Sequence, residues 1–394
     1  MLTLLTDADL YAPQPLGRCD LLLGGGKVLA IEPAGSLSLS LVDAERVVLG
    51  GARVIPGLID GHVHVTGGGG ENGPDTRVPP ILLSALTTAG VTTCVGVLGT
   101  DGTTRTMRSL VAKTLALRAE GLSAYCYTGS YEVPVRTLTG SVRDDIVFID
   151  PIIGVGELAI SDHRSSQPTF DEVLRVAADC HVAGLLSGKA GVLHLHLGDG
   201  PRGLAFVRRA LDESELPARV FHPTHVNRQR WLMEEAIALT QRGVTVDITA
   251  FDPEEDGVSV EDVIERWWRE GLPPQRLTVS SDGAGCLPCF DAEGRVERMG
   301  VGEPATLAVA LQTLLQRGVP LPHVLPPFTS NVASALRLRH KGRIERGADA
   351  DLVILDEAGG VRDVLALGHF MVRDGHRVVS GTFEPVARSD GGKA

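Results

Sequence analysis

Short runs of β-branched and aliphatic residues recur through the middle of the chain. Between them lie longer stretches in which apolar residues return every three or four positions. The first pattern predicts strands at residues 54–65, 90–99, 123–131, 152–160, 191–198, 218–226, 243–251 and 277–283. The second predicts helices at 80–89, 106–120, 170–183, 203–212, 228–242 and 260–270. Strands alternating with helices indicate a parallel β/α architecture, and eight strands in series fit a (β/α)8, TIM-like barrel. The rival, an open doubly wound sheet, lacks its glycine-rich turn G-x-G-x-x-G before a first helix.

The two ends are patterned differently. Residues 1–52 carry strand patterns at 19–23, 27–31, 41–42 and 46–49, and residues 342–386 carry them at 351–355, 361–367, 369–373 and 376–380. Neither end has crossover helices. The two β-rich ends are expected to pair into one small, discontinuous β-sandwich domain beside a barrel spanning 53–341, with 387–394 as a polar tail. A chain of 394 residues is long enough for both.

Composition narrows the partners. Hydrophobic residues make up 43% and charged residues 22%, as in ordinary soluble proteins. The net charge of −12 argues against nucleic acid or an anionic membrane, both of which need basic patches. No apolar run approaches the roughly 18 residues of a membrane span, and the first residues lack a basic, signal-like start. Six cysteines scattered over a large chain fit reduced thiols and a cytoplasmic location. Cys286-Leu287-Pro288-Cys289 forms a C-x-x-C, but no second pair accompanies it, so neither a redox nor a structural-zinc role is assigned.

Barrels build their sites at the C-terminal ends of their strands. His62 and His64 close the first predicted strand, Glu157 lies in the fourth, and His196 closes the fifth. His225 closes the sixth and Asp282 the eighth. Side chains two apart on a strand share a face, so His62 and His64 can offer two nitrogens to one metal at about 2.0–2.1 Å. His194 sits two residues before His196 and is read as structural. His163, His181, His222, His323, His340, His369 and His376 are read as core or surface residues.

These positions and several motifs resemble the amidohydrolase superfamily, and within it the isoaspartyl (β-aspartyl) dipeptidases. The resemblance spans nearly the whole chain. Residues 56–64, PGLIDGHVH, resemble the superfamily's first-strand signature, and 347–352, GADADL, resemble its return to the small domain. More specific to the dipeptidases are GGGGENGP at 67–74, GTD at 99–101, TGSY at 128–131, ISDHRS at 160–165, PTHVNR at 223–228 and SSDG at 280–283.

The resemblance implies two divalent metal ions, most commonly zinc. His62, His64 and Asp282 would hold one and His196 and His225 the other, joined by a carboxylate and a bridging hydroxide. Asp282 would act as general base and then acid, and the Tyr131 hydroxyl would stabilise the oxyanion. The family's bridging group is a carboxylated lysine; here that position falls on Glu157, a much shorter side chain. Gly156 would allow the backbone to bulge inward so that Glu157 reaches both ions. The alternative is a single metal with Glu157 in an ion pair. Lys189, the nearest lysine, lies before the fifth strand and is poorly placed to substitute.

For the dipeptide, Glu71 resembles the residue that binds the substrate ammonium. Arg164 and Arg228 are candidates for its carboxylates, and Thr100, Tyr131 and Gly70 for further contacts. Cys286 stands where the family commonly has a substrate-contacting serine, and a thiol is the poorer hydrogen-bond donor. The resemblance implies hydrolysis of β-aspartyl dipeptides by a homo-oligomer. The alternatives are an amidohydrolase acting on a cyclic amide or an N-acyl amino acid, and a scaffold protein that has lost catalysis.

Overall fold

The computed structural model describes residues 2–37, 44–251, 256–291 and 293–385. The strand expected at 41–42 and the tail at 387–394 lie outside the described residues. The barrel strands are β1 (Leu58–Val63), β2 (Val91–Gly96), β3 (Ser123–Thr128), β4 (Ile152–Ile160), β5 (Val192–Leu197), β6 (Phe221–Thr224), β7 (Val246–Thr249) and β8 (Leu277–Ser280). Strands β1 to β6 form one parallel sheet in sequence order, and β7 pairs with β8. The ring closes where the His64 N–H donates to the Gly283 carbonyl at 2.8 Å. Between β6 and β7 side chains take over: Asn227 accepts from the Thr249 N–H at 2.9 Å and donates to the Thr249 carbonyl at 3.0 Å. The expected barrel is present.

The strand expected over 54–65 is two strands. Arg53–Pro56 pairs antiparallel with Leu352–Leu355 in the terminal sheet, and β1 begins after Gly57. A side chain at Gly57 would collide with Thr92, its Cβ lying 2.1 Å from the threonine hydroxyl. The close packing at this joint is what splits the run.

Both termini meet in a nine-stranded sheet with its own core, drawn from Leu5, Leu10, Leu21, Leu23, Val54, Leu352, Ile354 and Leu365 among others. Lys341 ties the two parts together. Its buried ammonium reaches Asp351 at 2.6 Å, Asp349 at 2.7 Å and the Ser123 hydroxyl, at the start of β3, at 2.5 Å.

A second departure lies after β8, where Cys286–Phe290 and Val296–Val301 form an antiparallel hairpin. Helices absent from the sequence prediction run over Val142–Phe148, Ala305–Gln316, Leu321–Phe328 and Ser330–Ala335. Among the described residues, no helix is long and apolar enough to cross a membrane.

Candidate metal centre and substrate cleft

Strand β4 decides the geometry of the centre. Its pairing with β5 slips by one residue between Val155↔Leu193 and Leu158↔Leu195, so Gly156 and Glu157 sit in a bulge. A Cβ on Gly156 would come within 2.8 Å of the His194 Cβ, so only glycine permits this approach. The bulge carries the short Glu157 side chain into the barrel.

There its two oxygens face different imidazoles. Oε1 lies 3.4 Å from His62 Nε2 and 3.3 Å from His64 Nε2. Oε2 lies 2.9 Å from His196 Nδ1 and 3.5 Å from His225 Nε2. Asp282 Oδ1 completes the first group, 3.4 Å from His62 Nε2 and 3.0 Å from His64 Nε2. His62 and His64 hold their Nε2 atoms 3.4 Å apart. A tetrahedron with metal bonds of about 2.0–2.1 Å has edges of about 3.3–3.4 Å, close to these separations. Among the described residues, three overlapping triplets of ligand atoms lie within 4.8 Å: His62–His64–Glu157, His62–His225–Asp282 and Glu157–His196–His225.

The electrostatics ask for a cation. Asp282 Oδ1 and His64 Nδ1 are buried and make no hydrogen bond. No lysine or arginine pairs with Glu157 or Asp282 among the described residues. Burial would lower the basicity of His64, yet Asp282 and Glu157 pull its pKa up to about 10. Burial would raise Glu157, but His62, His196 and His225 hold its carboxyl well below the usual range. Burial brings His225 down to about 4, which leaves it neutral. Its Nδ1 is 2.7 Å from the Thr249 hydroxyl, and Nε2 faces the centre. The residues present therefore fit divalent metal ions.

The backbone takes an unusual conformation just past three of the strands that carry these side chains. Ser161, His225 and Asp282, just past β4, β6 and β8, have φ of 55°, 60° and 54°, in the left-handed region. Asp60 accepts from the backbone N–H groups of Ser281 at 3.1 Å and His62 at 3.3 Å, which links β1 to the segment after β8. Burial raises the Asp60 carboxyl to about 6.

The centre forms the floor of a polar cleft. His64, Gly68, Gly69, Glu71, Thr100, Tyr131, Arg164, His196, Arg228, Asp282 and Cys286 line it. All the predicted substrate residues converge there, except that Gly68 and Gly69 replace Gly70. The Tyr131 hydroxyl is 2.8 Å from His196 Nδ1, and burial raises its pKa well above 10. Arg164 is not a free fork. It donates from Nη2 to Asp162 at 2.8 Å and from Nε at 3.1 Å, while Nη1 faces Glu71 at 3.6 Å. Its guanidinium lies between the rings of Tyr131 and Phe290, 5.5 and 5.3 Å from their centroids.

Sequence reasoning assigned no role to three residues that organise the cleft. Asp162 anchors Arg164 and also meets His196 Nε2 at 2.9 Å; its place in the ISDHRS motif was the available signal. Phe290 arrives on the unforeseen hairpin. Buried Arg105 uses all five N–H donors, on the carbonyls of Thr66, Gly68, Gly69 and Val78 and on Asp101, and so clamps the glycine-rich loop that presents Glu71. Lys189 is far from any bridging role: its ammonium donates to the carbonyls of Ile146, Ile149 and Ile152 at 2.6–3.0 Å.

The amidohydrolase family model matches residues 53–383. A β-aspartyl dipeptidase from Fervidobacterium islandicum AW-1, solved with a β-Asp-Leu dipeptide, is 40% identical, covers 96% of this chain and 97% of its own, and superposes with a TM-score of 0.92. A second structure of that organism's enzyme gives 39% identity, coverage of 96% and 98%, and a TM-score of 0.88. A deacetylase of Agrobacterium fabrum is 25% identical over 368 residues, 86% of this chain and 78% of that one. The chain therefore belongs to the amidohydrolase family of hydrolytic enzymes, where it stands with the β-aspartyl dipeptidases.

Proposed function

We propose that the protein hydrolyses β-aspartyl dipeptides at a binuclear metal centre bridged by Glu157. The observation that carries this reading is the convergence of Glu71, Arg164 and Arg228 with His64, His196 and Asp282 on one cleft. A β-aspartyl dipeptide has one ammonium and two carboxylates, and a neutral cyclic amide needs no such set of charges.

In this reading His62, His64 and Asp282 would hold one ion and His196 and His225 the other, with Glu157 offering an oxygen to each. When bound there, divalent ions would lower the pKa of water towards neutrality and polarise the scissile carbonyl. Asp282 accepts the proton of the attacking hydroxyl on its carboxylate and returns it to the leaving amine. Tyr131 directs its hydroxyl to the oxyanion. Glu71, whose Oε2 is buried without a hydrogen bond, receives the substrate ammonium. Arg228 meets one carboxylate; Arg164, held by Asp162, offers Nη1 to the other.

Turnover of β-Asp-Leu measured beside dihydroorotate and a hydantoin tests the substrate, and inactivity on the dipeptide refutes it. The Glu157 bridge predicts that metal reconstitution needs no bicarbonate. Recovery that depends on bicarbonate would indicate a carboxylated lysine instead. The cytoplasmic location and the homo-oligomer belong to the same proposal, and light scattering checks the latter.

A further inference from the structure

Beneath the metal centre the barrel interior holds a line of polar side chains with no part in the chemistry above. His62 Nδ1 lies 2.8 Å from His194 Nε2, His194 Nδ1 lies 3.1 Å from His222 Nδ1, and His222 Nε2 lies 3.1 Å from the Thr278 hydroxyl. Thr278 donates to Asp247 Oδ1 at 2.6 Å. The other Asp247 oxygen accepts from Ser280 at 2.6 Å and Thr224 at 2.7 Å. Every member is buried, and the Tyr127 ring stacks on His194 with centroids 5.0 Å apart.

Donors and acceptors along this line fit in one direction. A carboxylate only accepts, and a threonine hydroxyl has one proton to give. Thr278 gives it to Asp247, so its oxygen must accept from His222 Nε2. With one proton on each imidazole, His222 Nδ1 is bare and accepts from His194 Nδ1. His194 Nε2 is then bare and accepts from His62 Nδ1. His62 Nε2 is left with a free lone pair, and it lies 3.4 Å from each of His64 Nε2, Glu157 Oε1 and Asp282 Oδ1.

We infer that Asp247, Thr278, His222 and His194 form a one-way hydrogen-bond chain that fixes the tautomer of His62 and presents its Nε2 to a metal ion. The inference rests on the metal-site reading above. These are positioning residues on β7, β8, β6 and β5, and their effect reaches the ion only through His62 on β1. Partners of this kind orient a ligating imidazole and raise its basicity. A network that merely stabilised the barrel would change the melting temperature and leave metal affinity alone.

Thr278→Val removes the hydroxyl at nearly constant shape, and Thr278→Ser restores it. Zinc affinity of the full-length apoprotein, measured by competition with a chelator, is expected to fall about 10–100-fold at one site in T278V and to recover in T278S. T278V binding two zinc ions as tightly as the parent overturns the inference. A parent that takes up no zinc removes the metal reading itself, and the inference with it. Should T278V fail to fold, ring nitrogen-15 spectra of the zinc-loaded parent decide. Protons on His194 Nδ1 and His222 Nε2 support the chain, and the reverse tautomers refute it.

Discussion

Two clusters of buried charge sit at opposite ends of the barrel strands, and they are built on opposite principles. Lys341 at the domain joint meets Asp349 and Asp351; Asp349 also takes Lys27 at 2.5 Å, and Asp351 accepts the Leu367 N–H at 2.7 Å. Each charge there has its counterpart in the chain. At the mouth, Glu157 and Asp282 face imidazoles, no lysine or arginine pairs with either among the described residues, and Asp282 Oδ1 has no donor. Burying an uncompensated charge costs several kcal/mol. A closed cluster therefore serves the fold, whereas an open one shows where a ligand completes it.

Substitutions can break or sharpen this contrast. Asp282→Asn should lower kcat/KM on β-Asp-Leu by about 10²–10⁴-fold with the circular dichroism of the parent, because the proposed general base is lost. Retention of a tenth of the parent activity would place the base elsewhere. Lys341→Met should act on the other cluster alone. It leaves buried Asp351 without a cationic partner while Asp349 keeps Lys27, so a loss of about 3–5 kcal/mol is expected in denaturant titration, with kcat unchanged where the variant is folded. Equal stability would mean that the joint is not held by charge.

Asp60 gives a pH test of intermediate size. Its folded pKa of about 6 lies above the ordinary value of 3.8. Its contribution is therefore fully present below pH ~4 and lost as pH rises through about 6, by about 3 kcal/mol in all. Asp60→Asn cannot titrate. The stability of the metal-free parent relative to this variant should fall between those limits, and a constant difference would contradict the raised value. Cys286→Ser should have the smallest effect, a change in KM for the dipeptide worth about 1 kcal/mol with kcat little altered. An unchanged KM would show that the position makes no contact with substrate.

What the sequence revealed depended on the range over which each signal acts. Strand and helix periods are local, so the eight barrel strands and the β-rich ends could be read directly. The break at Gly57 could not, because it follows from the approach of Thr92 on the next strand. The hairpin at 286–301 was missed because Cys286-Leu287-Pro288-Cys289-Phe290 has no alternation to mark a strand. The ligand-type residues were legible because they recur at strand ends. Glu157 was recognised as the departure, and Gly156 as the residue that permits it. His222 was read as a core residue and His194 as structural, since their partners come from other strands. Arg105 and Asp162 act by gripping loops and side chains brought near only by folding.

Arg105 has a consequence for the thermodynamics of binding. Loops that order around a ligand spend part of the interaction energy on lost conformational freedom. Here the glycine-rich segment is fastened through four carbonyls to one guanidinium by contacts within the chain itself. The entropy of that segment was surrendered when the chain folded. Under the proposed function, recognition of a substrate ammonium by Glu71 would therefore appear almost whole in the affinity.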